Sequence, residues 1–310
     1  VCMWRMGDLS GAENIATSLQ HEIHISSSQS LNIYTQLMHI LGMIKEQRGQ
    51  LVEAERIYLD GIEIIEQSGT AMPVIGLLEA RLAAIRYQWN DIEKATVLCE
   101  SGRVWGQRTG IGDIIIHSLF VQVDLAIYHQ DEKVVRESID EFYKLLDWAE
   151  FSDIGATIQA NQAVYNTRLG NLAPAIRWAD SSGLSLEDQP TLRNQVEYQS
   201  LVRVRYDEIR LLGVKYQSQQ ILAQVDKLIF LSEKHEIVDL EIYYWLLKAL
   251  LLELNNQGKN AITALNTALD LAYPGGFIRV FLDLGTPMRT LIQKSLASYD
   301  LQTAFIAGVS

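Results

Sequence analysis

Gly49-Gln50-Leu51-Val52-Glu53-Ala54 is the stretch that decides the fold, because its pattern recurs along the chain. The pattern is a Gly or Asn, a spacer, an apolar residue, two spacers and an Ala. Its other copies cover residues 7–12, 90–95, 170–175 and, in a weaker form, 256–261. Gly, and next to it Asn, ends a helix at low cost because the residue after a helix often adopts a left-handed conformation. An Ala lets two helices cross closely, so each copy predicts the turn of an antiparallel helix hairpin.

The copies share one period. Their alanines stand at positions 12, 54, 95, 175 and 261, so the first copies are 42 and 41 residues apart and the later gaps, of 80 and 86 residues, are about twice as long. We expect a degenerate unit in each later gap, at residues 131–136 and 215–223. About seven hairpins with a period near 41 residues predict an all-α fold, an α-α superhelix or solenoid. Any single apolar stripe would also suit an ordinary helix bundle.

The helix pairs define the expected organisation of the chain. They are expected at residues 29–68, 73–108, 113–150, 153–182, 190–235 and 238–272, after a lone second helix in 1–26 and before a shorter pair in 276–298. Residues 184–190 form the least helical linker. We therefore expect helix-pair repeats in residues 1–183 with a truncated first unit, further long pairs of the same superhelix in 184–275, and short helices in 276–310.

Composition limits the classes of function. The chain has 310 residues, a formal net charge of −12 and a pI near 5.0. It therefore lacks the basic surface that binding to DNA or to an anionic membrane requires. No apolar run approaches the ~18 residues of a membrane span. The two cysteines, Cys2 and Cys99, have no metal-ligand spacing and are expected to be reduced, which is typical of a cytoplasmic protein.

The sequence contains no residue pattern that is typical of a catalytic or cofactor site. The histidines include His21 and His24, whose spacing is not that of a zinc protease. The run Gly110-Ile111-Gly112 lacks the third glycine of a dinucleotide-binding loop, and no Gly-x-Ser-x-Gly elbow occurs. The sequence therefore predicts a binding module that is not an enzyme and that uses no cofactor or metal.

The helix pairs resemble tetratricopeptide repeats. Trp245, Ala249 and Ala261 match the large, small and small packing positions of that motif, and Gly42 with Ala54 repeats the small pair. The C-terminal stretch is similar to the end of the sensor region in MalT-like, LuxR-type ATP-dependent bacterial transcription regulators. The matching residues of this signature are Pro274, Gly276, Phe277, Ile278, Arg279, Phe281, Leu282, Asp283, Gly285, Pro287 and Met288.

The resemblance implies one part of a three-part regulator: an N-terminal nucleotide-binding switch, a helical sensor and a C-terminal helix-turn-helix. No Gly-x-x-x-x-Gly-Lys-Ser/Thr loop occurs, and the chain ends at Ser310, about where the DNA-binding domain would start, so only the sensor is expected here. It would bind a small-molecule, peptide or protein effector, make no direct nucleic-acid contact, and act on covalently linked ATPase and DNA-binding domains. The alternative is a free-standing tetratricopeptide scaffold for protein-protein interaction.

An effector site is expected on the concave face of the superhelix, which the first helix of each pair lines. Aligning the units on the repeat pattern places small residues such as Ala80, Ala84 and Val121 there, and these favour close helix packing over ligand contact. Polar and aromatic groups on such a face more often orient a ligand. The candidate ligand-binding residues are Gln36, His39, Tyr87, Tyr128, Arg205 and Tyr243. Among them, Arg205 would fix an anionic group.

Overall fold

A computed structural model describes residues 8–70, 72–145, 154–213 and 218–296. This part of the chain contains 15 helices and no strand. The predicted all-α fold class of tetratricopeptide-like hairpins is confirmed. Cys2, Gly7 of the first repeat copy, and residues 215–217 of a degenerate unit lie outside the described residues.

The helices follow one another in the order that the repeat predicts. They are α1 (Leu9–Glu22), α2 (Ser28–Gln47), α3 (Leu51–Gln67), α4 (Val74–Gln88), α5 (Ile92–Thr109), α6 (Gly112–Tyr128), α7 (Glu132–Leu145), α8 (Gly155–Arg168), α9 (Leu172–Ser181), α10 (Gln195–Leu212), α11 (Ser218–Lys234), α12 (Val238–Leu254), α13 (Gly258–Ala272), α14 (Arg279–Leu282) and α15 (Thr286–Leu296). Helix α1 is the lone second helix, and α14 with α15 forms the shorter C-terminal pair.

Consecutive helices pack as hairpins, for example α2 with α3, α4 with α5, and α12 with α13. The first helices of successive pairs also contact one another. Helix α4 contacts both α2 and α6, and helix α10 contacts both α8 and α12. Each of these two sets of first helices therefore forms a continuous face, as a stack of helix hairpins requires.

The repeat pattern marks helix ends with left-handed residues. The φ angles are 71° at Gly49, 61° at Asn90, 82° at Gly170 and 58° at Asn256. At each turn the next N–H donates to a carbonyl five residues earlier, at distances of 2.7–2.9 Å. This bond satisfies a carbonyl that the helix end leaves without an intrahelical partner. Gln130, with a φ of 58°, forms the same turn before the degenerate unit at 131–136.

The alanines of the pattern lie where the helices cross. Ala54, Ala95, Ala175 and Ala261 are completely buried, and Ala12 is 6% exposed. On the facing helix of one hairpin, Gly42 lies directly against the ring of Tyr58. Close approach of two helices requires small residues at the crossing, so the predicted packing role of the alanines is confirmed.

The chain divides into two compact units, Val1–Ser138 and Ile139–Ser310. The first unit holds helices α1 to α6, and the second holds α8 to α15. Helix α7 spans the division. The sequence places domain limits at residues 183 and 275, and those limits stay predictions.

The linker around residue 184 is longer than the sequence predicts. Helix α9 ends at Ser181, and Gly183 follows with a φ of 75°. Helix α10 begins at Gln195 rather than near residue 190. The delay has a local cause: the Asn194 side chain accepts a hydrogen bond from the Thr191 N–H at 2.7 Å and so closes a turn before the helix starts.

Candidate functional site

A groove of about 570 Å³ opens on the face of the first helices in the unit Val1–Ser138. It lies at the N-terminal ends of α2, α4 and α6. Its polar lining residues are Ser28, Gln29, Asn32, Gln36, Thr70 and Asp113. Its apolar lining residues are Met72, Pro73, Val74, Leu77, Ile111 and Ile114.

A polar cluster lies about one helical turn further along each of these three helices. His39 follows Gln36 on α2, Arg81 follows Leu77 on α4, and His117 follows Ile114 on α6. Residues three or four apart share one face of a helix. We therefore take the groove and this cluster together as the candidate site.

Glu46 and Arg81 are the charged pair of the cluster. Arg81 donates from Nε to Oε1 of Glu46 at 3.0 Å and from Nη2 to Oε2 at 2.5 Å. This bidentate arrangement is a strong form of ion pair. The hydroxyl of Tyr58, a completely buried residue, also donates to Glu46. Both carboxylate oxygens of Glu46 therefore accept hydrogen bonds from the protein, and the carboxylate compensates the charge of Arg81.

His39 and His117 complete the cluster. Their ring centroids are 6.5 Å apart, with the planes inclined at 64°. Nδ1 of His117 lies 3.4 Å from Nη1 of Arg81. A guanidinium only donates, so Nδ1 accepts and Nε2 carries the proton of the neutral ring. Nε2 of His39 is buried and has no hydrogen-bond partner in the described part of the chain.

Both imidazoles are neutral in the folded chain. Burial, together with the positive charge of Arg81, lowers the pKa of His39 to about 3. Burial, followed by the charge of Arg81, also lowers the pKa of His117 well below its usual value. Burial and the neighbouring Glu46 carboxylate raise the pKa of Tyr58, so its hydroxyl stays protonated and donates. The cluster therefore presents uncharged hydrogen-bonding groups beside one compensated ion pair.

This neutrality predicts a pH dependence of stability. Between pH about 6.5, the usual pKa of an unfolded histidine, and pH 3, the unfolded chain binds a proton at His39 that the folded chain does not. The free energy of unfolding therefore falls with decreasing pH, by up to about 1.4 kcal/mol per pH unit and histidine. We expect His39→Gln to reduce this slope between pH 7 and pH 5 in urea unfolding, relative to the unsubstituted chain. An equal slope in both proteins would contradict a neutral, buried His39.

The family model for the MalT-like TPR region matches residues 3–298. The chain belongs to the MalT-like TPR region family. No curated protein matches the chain. The C-terminal signature and the helix pairs predicted a MalT-like helical region. The family match confirms that prediction.

In this MalT-like TPR region, the signature near the C-terminus has a packing role in the unit Ile139–Ser310. Phe277, Phe281 and Met288 are at most 3% exposed. Arg279 forms an ion pair with Asp283 four residues later. The other oxygen of Asp283 lies 3.2 Å from Nη2 of Arg168 at the end of α8. The signature thus attaches the C-terminal short helices to the first helices of this unit.

The candidate residues of the first unit occupy different environments. Gln36 is exposed and lines the groove, and His39 lies one turn further along α2. Tyr87 is 3% exposed, and its hydroxyl donates to the carbonyl of Asp124 in α6 at 3.4 Å. Tyr128 is 45% exposed and packs edge-on against the ring of its neighbour His129. The structure brings Gln36 and His39 together, whereas neither tyrosine lines the groove.

The two candidates of the second unit are engaged with protein groups. Arg205 binds Asp180 and Glu208, at 2.7 Å in each case, so both carboxylates compensate its charge. Tyr243 lies beside Arg203, and burial raises the pKa of its hydroxyl. The predicted ligand contacts of Arg205 and Tyr243 stay predictions.

Sequence reasoning missed Glu46, Arg81 and His117. Each stands on a first helix: Arg81 is next to Ala80, and His117 lies four positions before Val121, both of which the alignment assigned to the concave face. His39 and Glu46 are seven apart on α2, which is a signal for one shared face. The lining residues Gln29 and Asn32 lie seven and four positions before Gln36. This spacing likewise indicates that the three side chains share one face of α2.

Among the described residues, no group of three or more His, Cys, Asp or Glu side chains is arranged to hold a metal ion. Within the same ranges, no helix combines the length and apolar character that crossing a membrane requires.

Proposed function

We propose that this MalT-like TPR region is an effector-sensing domain, and that the groove formed by α2, α4 and α6 binds the effector. The supporting observation is an open groove of about 570 Å³ whose lining combines aliphatic side chains with a few exposed polar ones. Ligand sites of this kind join an apolar lining to a few polar groups that orient the ligand. The proposal assigns the domain no catalysis.

An effector in this groove would contact three first helices that belong to three successive pairs. Binding would favour one relative packing of these pairs over others, and so shift a conformational equilibrium. We propose that this shift acts on covalently linked ATPase and helix-turn-helix domains of a LuxR-type bacterial regulator in the cytoplasm. The net charge of −12 favours signalling through those domains over direct contact with nucleic acid.

Filling the groove should abolish sensing without unfolding the chain. Gln36 is exposed and lines the groove, so Gln36→Trp should leave the fold intact while its indole occupies ligand space. We expect a collection of metabolites and short peptides to contain a ligand that stabilises the unsubstituted chain by about 2.7 kcal/mol at a hundred times its Kd. The stabilisation should disappear in Gln36→Trp, as measured by thermal unfolding.

The matched control is Ile33→Trp, because Ile33 is an exposed residue of the same helix, 48% exposed, and does not line the groove. A ligand that stabilises the control and Gln36→Trp equally would contradict the proposed site.

A second candidate function, a protein-interaction scaffold, is favoured by a different groove of about 440 Å³. It is lined by residues of α3, α4 and α5 and includes Leu59 and Val97, which are 46% and 67% exposed. Exposed apolar patches of this kind mark interaction surfaces. A polypeptide partner whose affinity is the same for the unsubstituted chain and for Gln36→Trp would favour this function.

A further inference from the structure

One wall of the groove of the first unit is built of side-chain amides. Gln29, Asn32 and Gln36 follow one another on α2 at intervals of three and four residues, so they share one helix face. All three are exposed and line the groove. No hydrogen bond within the described ranges engages their amide groups, so these donors and acceptors are available to a ligand.

The other wall is aliphatic. Val74 and Leu77 of α4 and Ile114 of α6 are at most 6% exposed and form its inner part. Among the described residues, no aromatic side chain lines the groove, and Asp113 is the single charged one that does. The flat rings of nucleobases bind on aromatic faces, and phosphates and carboxylates bind cations. The lining therefore disfavours nucleotides and anions.

A row of side-chain amides matches the main chain of a polypeptide. Each carboxamide offers an N–H donor and a carbonyl acceptor, the same groups that an extended backbone leaves unpaired along its edge. The distance from Gln29 to Gln36 is ~10 Å at the rise of an α-helix. An extended chain covers that distance with about three residues.

We propose, resting on the proposed effector site, that the groove binds an extended polypeptide segment of about three residues. The main chain of the segment pairs with Gln29, Asn32 and Gln36, and its aliphatic side chains pack on the wall formed by Val74, Leu77 and Ile114. The segment carries no acidic residue at this position, because Asp113 and the net charge of −12 repel one. A neutral polyol would use the amides but would leave the aliphatic wall uncovered.

The test uses a library of acetylated, C-terminally amidated hexapeptides composed of Gly, Ala, Ser, Val, Leu and Lys. Peptides enriched on the whole chain are resynthesised with N-methyl groups on the three central peptide bonds, which removes main-chain donors and keeps the side chains. Affinities are measured by fluorescence anisotropy for the unsubstituted chain, for the combined variant Gln29→Ala, Asn32→Ala and Gln36→Ala, and for Gln107→Ala. Gln107 is an exposed glutamine of α5 outside the groove lining.

We expect enriched peptides whose affinity falls at least about tenfold on N-methylation and at least about tenfold in the combined variant, with no change in Gln107→Ala. Equal affinity of the N-methylated peptide, equal affinity of the combined variant, or the absence of any enriched peptide would each overturn the inference. If one of these peptide results overturns the inference while a metabolite stabilises the unsubstituted chain but not Gln36→Trp, the sensing proposal stands and the polypeptide inference alone fails.

Discussion

Asp207→Asn should lower the free energy of unfolding by about 3–5 kcal/mol, the range expected when one partner of a buried ion pair is neutralised. Asp207 is 1% exposed on α10. One carboxylate oxygen accepts from Nε of Arg203 at 2.7 Å, and the other accepts from Nη2 of Arg210 at 2.9 Å. Arg203 is only 6% exposed. The amide would therefore leave a buried guanidinium without its counter-charge, at nearly constant side-chain volume.

The matched control for this substitution is Glu137→Gln. Lys133 and Glu137 are also four residues apart on a helix, but their side chains are 81% and 62% exposed. Solvent screens such a pair, so its loss should cost at most about 0.5 kcal/mol. Urea unfolding of both variants gives the comparison. Equal losses in the two variants would contradict the burial of the Asp207 network.

Gly42→Ala should destabilise the hairpin of α2 and α3 by about 2 kcal/mol or more. A Cβ at this position would lie 2.1 Å from Cε1 of Tyr58. The ring of Tyr58 is completely buried and its hydroxyl donates to Glu46, so it has little room to move. Overpacking of a closed core costs typically 1–3 kcal/mol, and a direct overlap with a ring lies at or above the top of that range. The better helix propensity of Ala returns only about 1 kcal/mol.

Gly258→Ala provides the control, measured by the same urea unfolding followed by circular dichroism. Gly258 is the first residue of α13, and the nearest atom to an added Cβ is a carboxylate oxygen of Glu253 at 3.7 Å. This substitution should be neutral or stabilise by up to about 1 kcal/mol, because it reduces the freedom of the unfolded chain. If Gly42→Ala were as stable as this control, the close crossing of α2 and α3 would be wrong.

The fold could be predicted from the sequence because its signals are local. Gly49 and Asn90 end helices through backbone conformations that few residues adopt cheaply, and Ala54 and Ala95 mark the crossings that follow. These signals recur with one period, so errors in a single unit did not change the prediction. Gln130 adopts a left-handed conformation as well, but a glutamine does not indicate such a turn in the sequence, which explains why the unit at 131–136 looked degenerate.

The site could be predicted only in part because it depends on register between helices. Gln36 and His39 were found since their helix face follows from the repeat alignment. Arg81 neighbours Ala80 in sequence, yet its guanidinium reaches Glu46 on a different helix, and that contact requires the relative position of two helices. The partners of Arg205 could not be foreseen for the same reason. Asp180, one of them, lies on another helix and 25 residues away in sequence.

The central claim is that the face of α2, α4 and α6 binds the effector. Hydrogen exchange with and without the stabilising ligand tests it most directly, because bound ligand slows the local opening that exposes backbone amides. The account predicts slower exchange in residues 28–39, 72–81 and 111–117, with little change at the outer helices α3 and α5. Protection confined to α3 and α5, or to the unit Ile139–Ser310, would contradict it.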